Sequence, residues 1–139
     1  MRDFQSRIDR LLDHLIERGG FDAALFLSPD GIPVSKIART GSSDEALLQL
    51  MIGYAPSLVQ LLNHAVNQDT IDEISVLSTQ RTRITLRPVK VADESMVLLV
   101  ISDKTLSYRY LTNQALQSFS MLFEKNLSMV LETGDTHDG

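Results

Sequence analysis

Apolar residues recur along this chain at two spacings, and the changes between them divide it into helical and extended segments. From Asp3 to Arg18 the apolar positions repeat every three or four residues, which predicts an amphipathic helix ended by a pair of glycines. Phe21–Leu27 and Ile32–Ala38 are short apolar or alternating runs on either side of Ser28-Pro29-Asp30-Gly31. Pro and Gly at these turn positions predict a β-hairpin.

The second half predicts a long helix, three strands and a last helix. Ser42-Ser43-Asp44-Glu45 has the spacing of a capping box and precedes the apolar segment Ala46–Asn67. The later elements are predicted at Ile71–Ser78, Arg83–Val91, Met96–Ser102 and Leu106–Leu131. The Met96–Ser102 strand is apolar on both faces, so we expect it at the centre of the sheet.

The order α-β-β-α-β-β-β-α, with short links between strands, predicts an α/β protein of the α+β type. Its five-stranded antiparallel sheet should be flanked by helices, the central helix on one face and the terminal helices on the other. We expect a single domain over residues 1–131 and a flexible polar tail over 132–139.

The central helix is more apolar than one sheet requires, since no charged residue occurs from Ala46 to Gln68. At about 100° per residue its apolar side chains cover an arc of roughly 200°, about twice that of an ordinary surface helix. A membrane span, a fully buried helix and a protein interface are the alternatives, and the interface fits best. We assign to the sheet Leu48, Ile52, Ala55, Val59, Leu62 and Val66, and to a partner Leu47, Leu50, Tyr54, Leu58 and Leu61. Pro56, placed on the polar side, should kink the helix or end it at Ala55.

Composition removes several classes of function. The 139 residues contain no cysteine and carry a net charge of −5, which argues against thiolate chemistry and against nucleic acid as the main partner. The three histidines are isolated and the pairs Asp72-Glu73 and Asp93-Glu94 are expected to face solvent, so no metal, cofactor or catalytic site is predicted. Without a secretory pattern at the start, a cytoplasmic location is expected.

Arg81, Arg83 and Arg87 lie on one face of a predicted strand with Thr85 between them. This short basic stripe is interpreted as a solvated face that could also meet an acidic partner. No nucleotide-binding glycine motif occurs, so the chain itself should not bind a nucleotide.

The first hairpin, Gly20-Phe21-Asp22-Ala23-Ala24-Leu25-Phe26-Leu27-Ser28-Pro29-Asp30-Gly31-Ile32-Pro33-Val34, resembles that of the roadblock (dynein light-chain-related) family. The strand Arg83–Val89 and the segment Met96–Asp103 are similar as well, and the resemblance covers about Leu12–Leu131. Family members often carry glycine where this chain has Asn67-Gln68-Asp69 and Thr105-Leu106-Ser107, which indicates a divergent subgroup.

The resemblance implies a homodimer in which the central helices pack antiparallel and the third strands join into one sheet. The interface would then comprise Leu47, Leu50, Met51, Tyr54, Leu58 and Leu61, with Ile74 and Val76 from the third strand. It also implies a Ras-like GTPase partner. The chain would dock this GTPase as a non-enzymatic regulator that modulates GTP hydrolysis, or as a scaffold that only tethers it. The alternative is a small-molecule sensory domain of profilin-like fold.

Overall fold

A computed structural model of the chain describes residues 2–38, 45–65 and 71–137. In chain order the elements are α1 (Arg2–Gly19), β1 (Ala23–Leu27), β2 (Pro33–Ala38), α2 (Glu45–Ala65), β3 (Ile74–Leu77), β4 (Thr82–Val91), β5 (Glu94–Asp103) and α3 (Arg109–His137). The predicted order of helices and strands is confirmed. Three of the capping-box residues, 42–44, lie outside the described residues.

The strands form one antiparallel sheet in the order β2-β1-β5-β4-β3. The strand predicted to be central, β5, lies in the middle, and residues 96–102 within it are buried. The turn between β4 and β5 passes through Ala92 and Asp93, both at positive φ. Paired residues of positive φ match the twist of a two-residue hairpin turn, so β4 and β5 stay in register along their full length.

Alternate residues of each strand supply two separate cores, as the period of two in a strand requires. Ala24, Phe26, Leu98 and Val100 face α1 and α3 in the first core. There the rings of Phe26 and Phe119 stack with centroids 4.0 Å apart. This face is the one predicted for the terminal helices.

The opposite face of the sheet packs against α2. Its core is formed by Leu25, Leu86 and Leu99 of the strands together with Leu48 and Val59 of the helix. The predicted three-layer arrangement, with the central helix alone on one side, is therefore confirmed.

Three element boundaries differ from the sequence prediction by three residues or more. Strand β3 begins at Ile74 rather than Ile71. Helix α3 begins at Arg109 rather than Leu106, because Asp103 first accepts hydrogen bonds from Thr105 in a local turn. The same helix continues to His137, so residues 132–137 of the predicted tail are helical; the tail's flexibility stays a prediction.

Candidate protein-binding face

Helix α2 presents one apolar side to the sheet and a second apolar side to solvent. Leu48, Ala55 and Val59, assigned to the sheet from the sequence, are buried there. Ile52 and Leu62 of the same ridge are half-buried, and Val66 lies outside the described residues. The sheet therefore covers this ridge fully at three positions and in part at two more.

The outer side of α2 carries the large exposed apolar side chains. Leu50 is 54% exposed, Tyr54 64% and Leu61 66%, and all three belong to the ridge assigned to a partner. Leu47, Met51 and Leu58 are half-buried, because they pack against the edge of the α2-side core as well. The exposed apolar surface of α2 is therefore narrower than the predicted ridge, and Leu50, Tyr54 and Leu61 define what we call the outer face of α2.

Pro56 corrects one detail of the helix prediction. It is buried rather than on a polar, solvated side, and α2 continues through it instead of ending at Ala55. Because Pro56 has no N–H, the carbonyl of Ile52 loses its helical donor. The hairpin turn covers this site: a Cβ on Gly31 would lie 3.4 Å from the Ile52 carbonyl oxygen.

Strand β3 is an edge of the sheet. Its inner side pairs with β4, and no strand among the described residues pairs with its outer side. Ile74 and Val76 stand opposite Leu86 and Ile84, so they lie on the same side of the sheet as α2. Ile74 is half-buried against the core, and Val76 is 46% exposed.

The basic stripe on β4 is mostly structural, which corrects the interpretation of it as a solvated face. Arg87 is only 2% exposed and donates to the Asp72 carbonyl, to Thr112 Oγ1 at 2.7 Å and to Asn113 Oδ1 at 2.8 Å. Arg83 lies half-buried with its guanidinium 4.5 Å from the ring centre of Tyr108. Of the three arginines, only Arg81 has an exposed side chain, paired with Asp103 at 3.5 Å.

Asp72 faces solvent as expected and Glu73 is half-buried, and the two carboxylates belong to one ion-pair cluster. Arg109, in the first turn of α3, contacts both carboxylates, at 2.7 Å in the case of Glu73. Glu73 also accepts hydrogen bonds from Ser75 and Tyr108. No sequence spacing indicated this cluster, because its members come from segments around β3 and the start of α3, which only the fold brings together.

Electrostatics in this cluster follow from those contacts. The hydrogen bond from Arg109 lowers the pKa of Asp72. Partial burial acts to raise the pKa of Glu73, but hydrogen bonds from Tyr108, Ser75 and Arg109 together lower it. Burial, followed by the positive charge of Arg109, lowers the pKa of Arg87. The cluster fixes the start of β3 to α3 and holds its carboxylates ionised, which suits a structural role.

A half-open cavity of about 590 Å³ lies beside the end of α2. Its lining includes Asn63, His64, Asp72 and Lys90. Asn63 also accepts a hydrogen bond from the Ile71 N–H. Within the described ranges no group of three or more His, Asp or Glu side chains could hold a metal ion.

The segment Ala46–His64 of α2 is long and apolar enough to cross a membrane by length and composition. In the folded domain the same helix buries Leu48, Ala55 and Val59 on the sheet. A membrane span is not indicated.

No protein-family model and no curated protein matches this sequence. Solved structures do. MglB of Myxococcus xanthus is 18% identical, with a TM-score of 0.71 over 87% of this chain and 90% of that one. The gliding protein MglB of Thermus thermophilus is 16% identical, with a TM-score of 0.69 over 88% of this chain and 92% of that one. A Roadblock/LC7 domain of Streptomyces avermitilis is 18% identical, with a TM-score of 0.61 over 88% of this chain and 97% of that one.

The chain has the roadblock fold. The fold expected from the first hairpin and from the order of elements is thereby confirmed. In this roadblock fold α2 and the side chains of Ile74 and Val76 lie on one side of the sheet, while α1 and α3 cover the other.

Proposed function

We propose that this chain is a non-enzymatic homodimeric regulator or scaffold that docks a Ras-like small GTPase. The observation that carries the proposal is the outer face of α2, where Leu50, Tyr54 and Leu61 are each more than half exposed. Monomeric proteins seldom expose aligned large apolar side chains on one helix, and such surfaces mark association.

The spacing along α2 suits a two-fold pair of helices. Leu50 and Leu61 are eleven residues apart, about three helical turns, so they share one side of the helix. In an antiparallel pair, Leu50 would meet Leu61 of the second copy, with Tyr54 near the two-fold axis. A two-fold interface needs such self-complementarity.

Helix α2 alone is too small for a stable interface. Its 21 residues make a rod about 31 Å long and 10 Å wide, so one side covers on the order of 300 Å², against about 800 Å² per partner in typical stable complexes. Ile74 and Val76 of β3 lie on the same side of the sheet as α2, and the outer edge of β3 can pair with its copy through backbone hydrogen bonds. We therefore include both elements in the dimer interface, with Leu47, Met51, Leu58 and Ile74 at its border with the core.

Light scattering on the purified chain tests the dimer. We expect twice the 15.5 kDa chain mass for the native protein and a monomer for Tyr54→Asp and Leu61→Asp. Gln60→Asp is the matched control, because it places the same charge on an exposed polar position of α2 that lies roughly 80–120° around the helix from Leu50, Tyr54 and Leu61, and it should leave the dimer intact. A native protein that is monomeric at micromolar concentration would exclude this part of the proposal.

The GTPase partner follows from the likeness to the roadblock family and is supported by the fold shared with the MglB proteins. The test is a pull-down with a Ras-like GTPase encoded beside this chain, loaded with GDP or with a non-hydrolysable GTP analogue. Preference for one state supports regulation, and equal binding supports a scaffold. No binding in either state contradicts the GTPase part, even where the dimer is found.

A variant of Arg81 distinguishes a chain that only docks the GTPase from one that also supplies a catalytic arginine. Arg81 has the most exposed side chain of the three arginines on the β4 stripe, so it is the one best placed to reach a bound GTPase as an acidic-partner contact. If the chain stimulates GTP hydrolysis by positioning the partner's own residues, Arg81→Ala should retain the stimulation within about twofold. A loss of several orders of magnitude in this stimulation would instead indicate that the chain supplies Arg81 in trans to the active site of the GTPase.

The sensory alternative has one observation in its favour, the 590 Å³ cavity beside His64 and Lys90. A ligand of that cavity would raise the melting temperature of the native chain, and His64→Ala would remove the shift. A metabolite screen by thermal shift therefore separates this second candidate from the docking proposal.

A further inference from the structure

A second surface lies on the opposite side of the sheet, in the groove between α1 and α3. The two helices are antiparallel, because Phe4 contacts Phe123 at one end while Arg18 lies beside Tyr110 at the other. Two cavities follow the groove, one of about 340 Å³ and one of about 390 Å³. Arg18 and Leu111 line both, which makes the two cavities one continuous groove.

The floor of the groove is apolar and its rim is polar. Leu11 and Leu15 of α1 lie opposite Leu111 and Ala115 of α3. The rim on α3 consists of uncharged hydrogen-bonding side chains, among them Gln114 and Gln117. An apolar floor with a hydrogen-bonding rim is the form of grooves that receive an amphipathic peptide.

Most of the acidic residues of α1 lie away from the groove. Leu11, His14 and Arg18 line it, and Arg7 lies one turn before Leu11 on the same side of the helix, four residues after Asp3. The acidic residues Asp9, Asp13 and Glu17 recur at spacings of four on the other side, where Asp9 accepts a hydrogen bond from Ser35 of β2. The part of α1 that lines the groove therefore carries His14 and Arg18 and no acidic residue, in a chain of net charge −5.

Helix α3 contributes no compensating charge to the groove. From Tyr110 to Phe123 its sequence has no charged residue, and neither cavity has an acidic side chain in its described lining. Within the described ranges, no acidic group lies within ion-pair distance of Arg7 or Arg18. Two exposed arginines without anionic partners beside an apolar floor favour an acidic occupant.

We propose that the groove between α1 and α3 binds an acidic amphipathic peptide helix of a partner protein. Apolar side chains of that helix would lie over Leu11 and Leu111, and its carboxylates would pair with Arg18 at one end and Arg7 at the other. From Arg7 to Arg18, α1 spans about 16 Å, so a peptide of about three helical turns would reach both arginines. The concave shape fits a helix better than a flat membrane surface, and the site is independent of the α2 face.

Selection from a phage-displayed library of random peptides tests this proposal with the native full chain as bait. We expect enriched peptides to be acidic, with apolar residues at spacings of three and four. A synthesised enriched peptide should bind by fluorescence anisotropy, and Arg18→Glu should weaken it at least about tenfold, a loss of about 1.4 kcal/mol. Raising the salt concentration should weaken it further.

Arg81→Glu is the matched control, since it makes the same change of net charge at an exposed arginine in the turn between β3 and β4. It should leave peptide binding within about twofold. Arg18→Ala serves as a second variant with a smaller perturbation, and light scattering on each variant should show the native mass. The groove and the outer face of α2 lie on opposite sides of the sheet. A failure of the peptide-binding proposal therefore does not entail a failure of the dimer proposal, and the reverse holds as well.

Three results would overturn the proposal. One is the absence of any acidic consensus among the enriched peptides, and another is an affinity that Arg18→Glu leaves unchanged. The third is Arg18-dependent binding to vesicles containing phosphatidylserine together with no enriched peptide, which would assign the groove to a membrane surface.

Discussion

Arg87 donates from Nη1 to Thr112 Oγ1 at 2.7 Å, and this buried bond joins the middle of β4 to the first turn of α3. Thr112 is itself fully buried and also bonds to the Tyr108 carbonyl, so its hydroxyl is held in place from both sides. The same guanidinium reaches the Asp72 carbonyl just before β3. One side chain thus holds three segments in register at the edge of the sheet.

Removing this side chain should destabilise the fold. Arg87→Met deletes three hydrogen bonds from a charged donor and leaves the Asp72 carbonyl without one of its partners, so we expect a loss of about 2–4 kcal/mol. Arg81→Met is the control, because the Arg81 side chain is 84% exposed. Its free energy of unfolding should stay within about 0.5 kcal/mol of the native value. Urea unfolding followed by circular dichroism at one fixed protein concentration measures both. Equal effects of the two variants would contradict the structural role of Arg87.

Acid should loosen the same region. The pKa of Asp72 is lowered from its ordinary 3.8, first by the hydrogen bond from Arg109. For Glu73, with an ordinary value of 4.5, burial acts upward but the bonds from Tyr108, Ser75 and Arg109 lower the pKa overall. Since the folded values lie below the unfolded ones, this stabilisation is present at neutral pH and declines as the pH falls below about 5.

The measurement is the free energy of unfolding at a series of pH values. Asp72→Asn combined with Glu73→Gln should reduce the slope of stability against pH between about pH 5 and pH 3. Asp93→Asn, which alters an exposed carboxylate in the β4–β5 turn, should keep the native slope. A native slope in the double variant would show that other carboxylates govern the acid transition.

The elements that could be predicted from the sequence are those with long, regular patterns. Three patterns each fitted only one kind of element. They are the helical period of α1, the Pro-Gly turn of the first hairpin and the apolar residues on both faces of β5. For α2 the uncharged segment indicated a second surface, and the structure exposes Leu50, Tyr54 and Leu61 there. Leu47 and Leu58 were harder to place, because at the border of a helix face a side chain can contact both the core and solvent.

The start of β3 and the role of Arg87 depended on contacts between distant segments. Ile71 donates its N–H to the side chain of Asn63, and the Asp72 carbonyl accepts from Arg87, so these backbone groups are bonded outside a sheet ladder. The alternation along β4 correctly placed Arg83 and Arg87 on one face. It contained no information that α3 would cover that face with Thr112 and Asn113.

Two glycines on the α2 side of the molecule should respond oppositely to alanine. Gly31 has a φ of +80°, and a Cβ there would lie 3.4 Å from the Ile52 carbonyl oxygen, so Gly31→Ala should cost about 1–2 kcal/mol. Gly53 lies exposed within α2, where a Cβ meets no atom within 4 Å, so Gly53→Ala should stabilise by about 0.5–1 kcal/mol. Thermal unfolding of both variants provides the test, and a stabilising Gly31→Ala would contradict the turn geometry.

Neighbouring residues at the end of β3 should differ in their effect on the proposed dimer. Val76 is 46% exposed and lies on the α2 side of the sheet opposite Ile84, whereas Leu77 is 55% exposed and stands opposite Arg83 on the other side. A lysine at position 76 would bring two like charges together near the two-fold axis beside the outer face of α2. We therefore expect Val76→Lys to raise the dimer dissociation constant at least about tenfold and Leu77→Lys to change it less than about threefold, as measured by analytical ultracentrifugation. Equal weakening by both would mean that the strand edge joins the copies without help from α2, and no weakening by Val76→Lys would remove β3 from the interface.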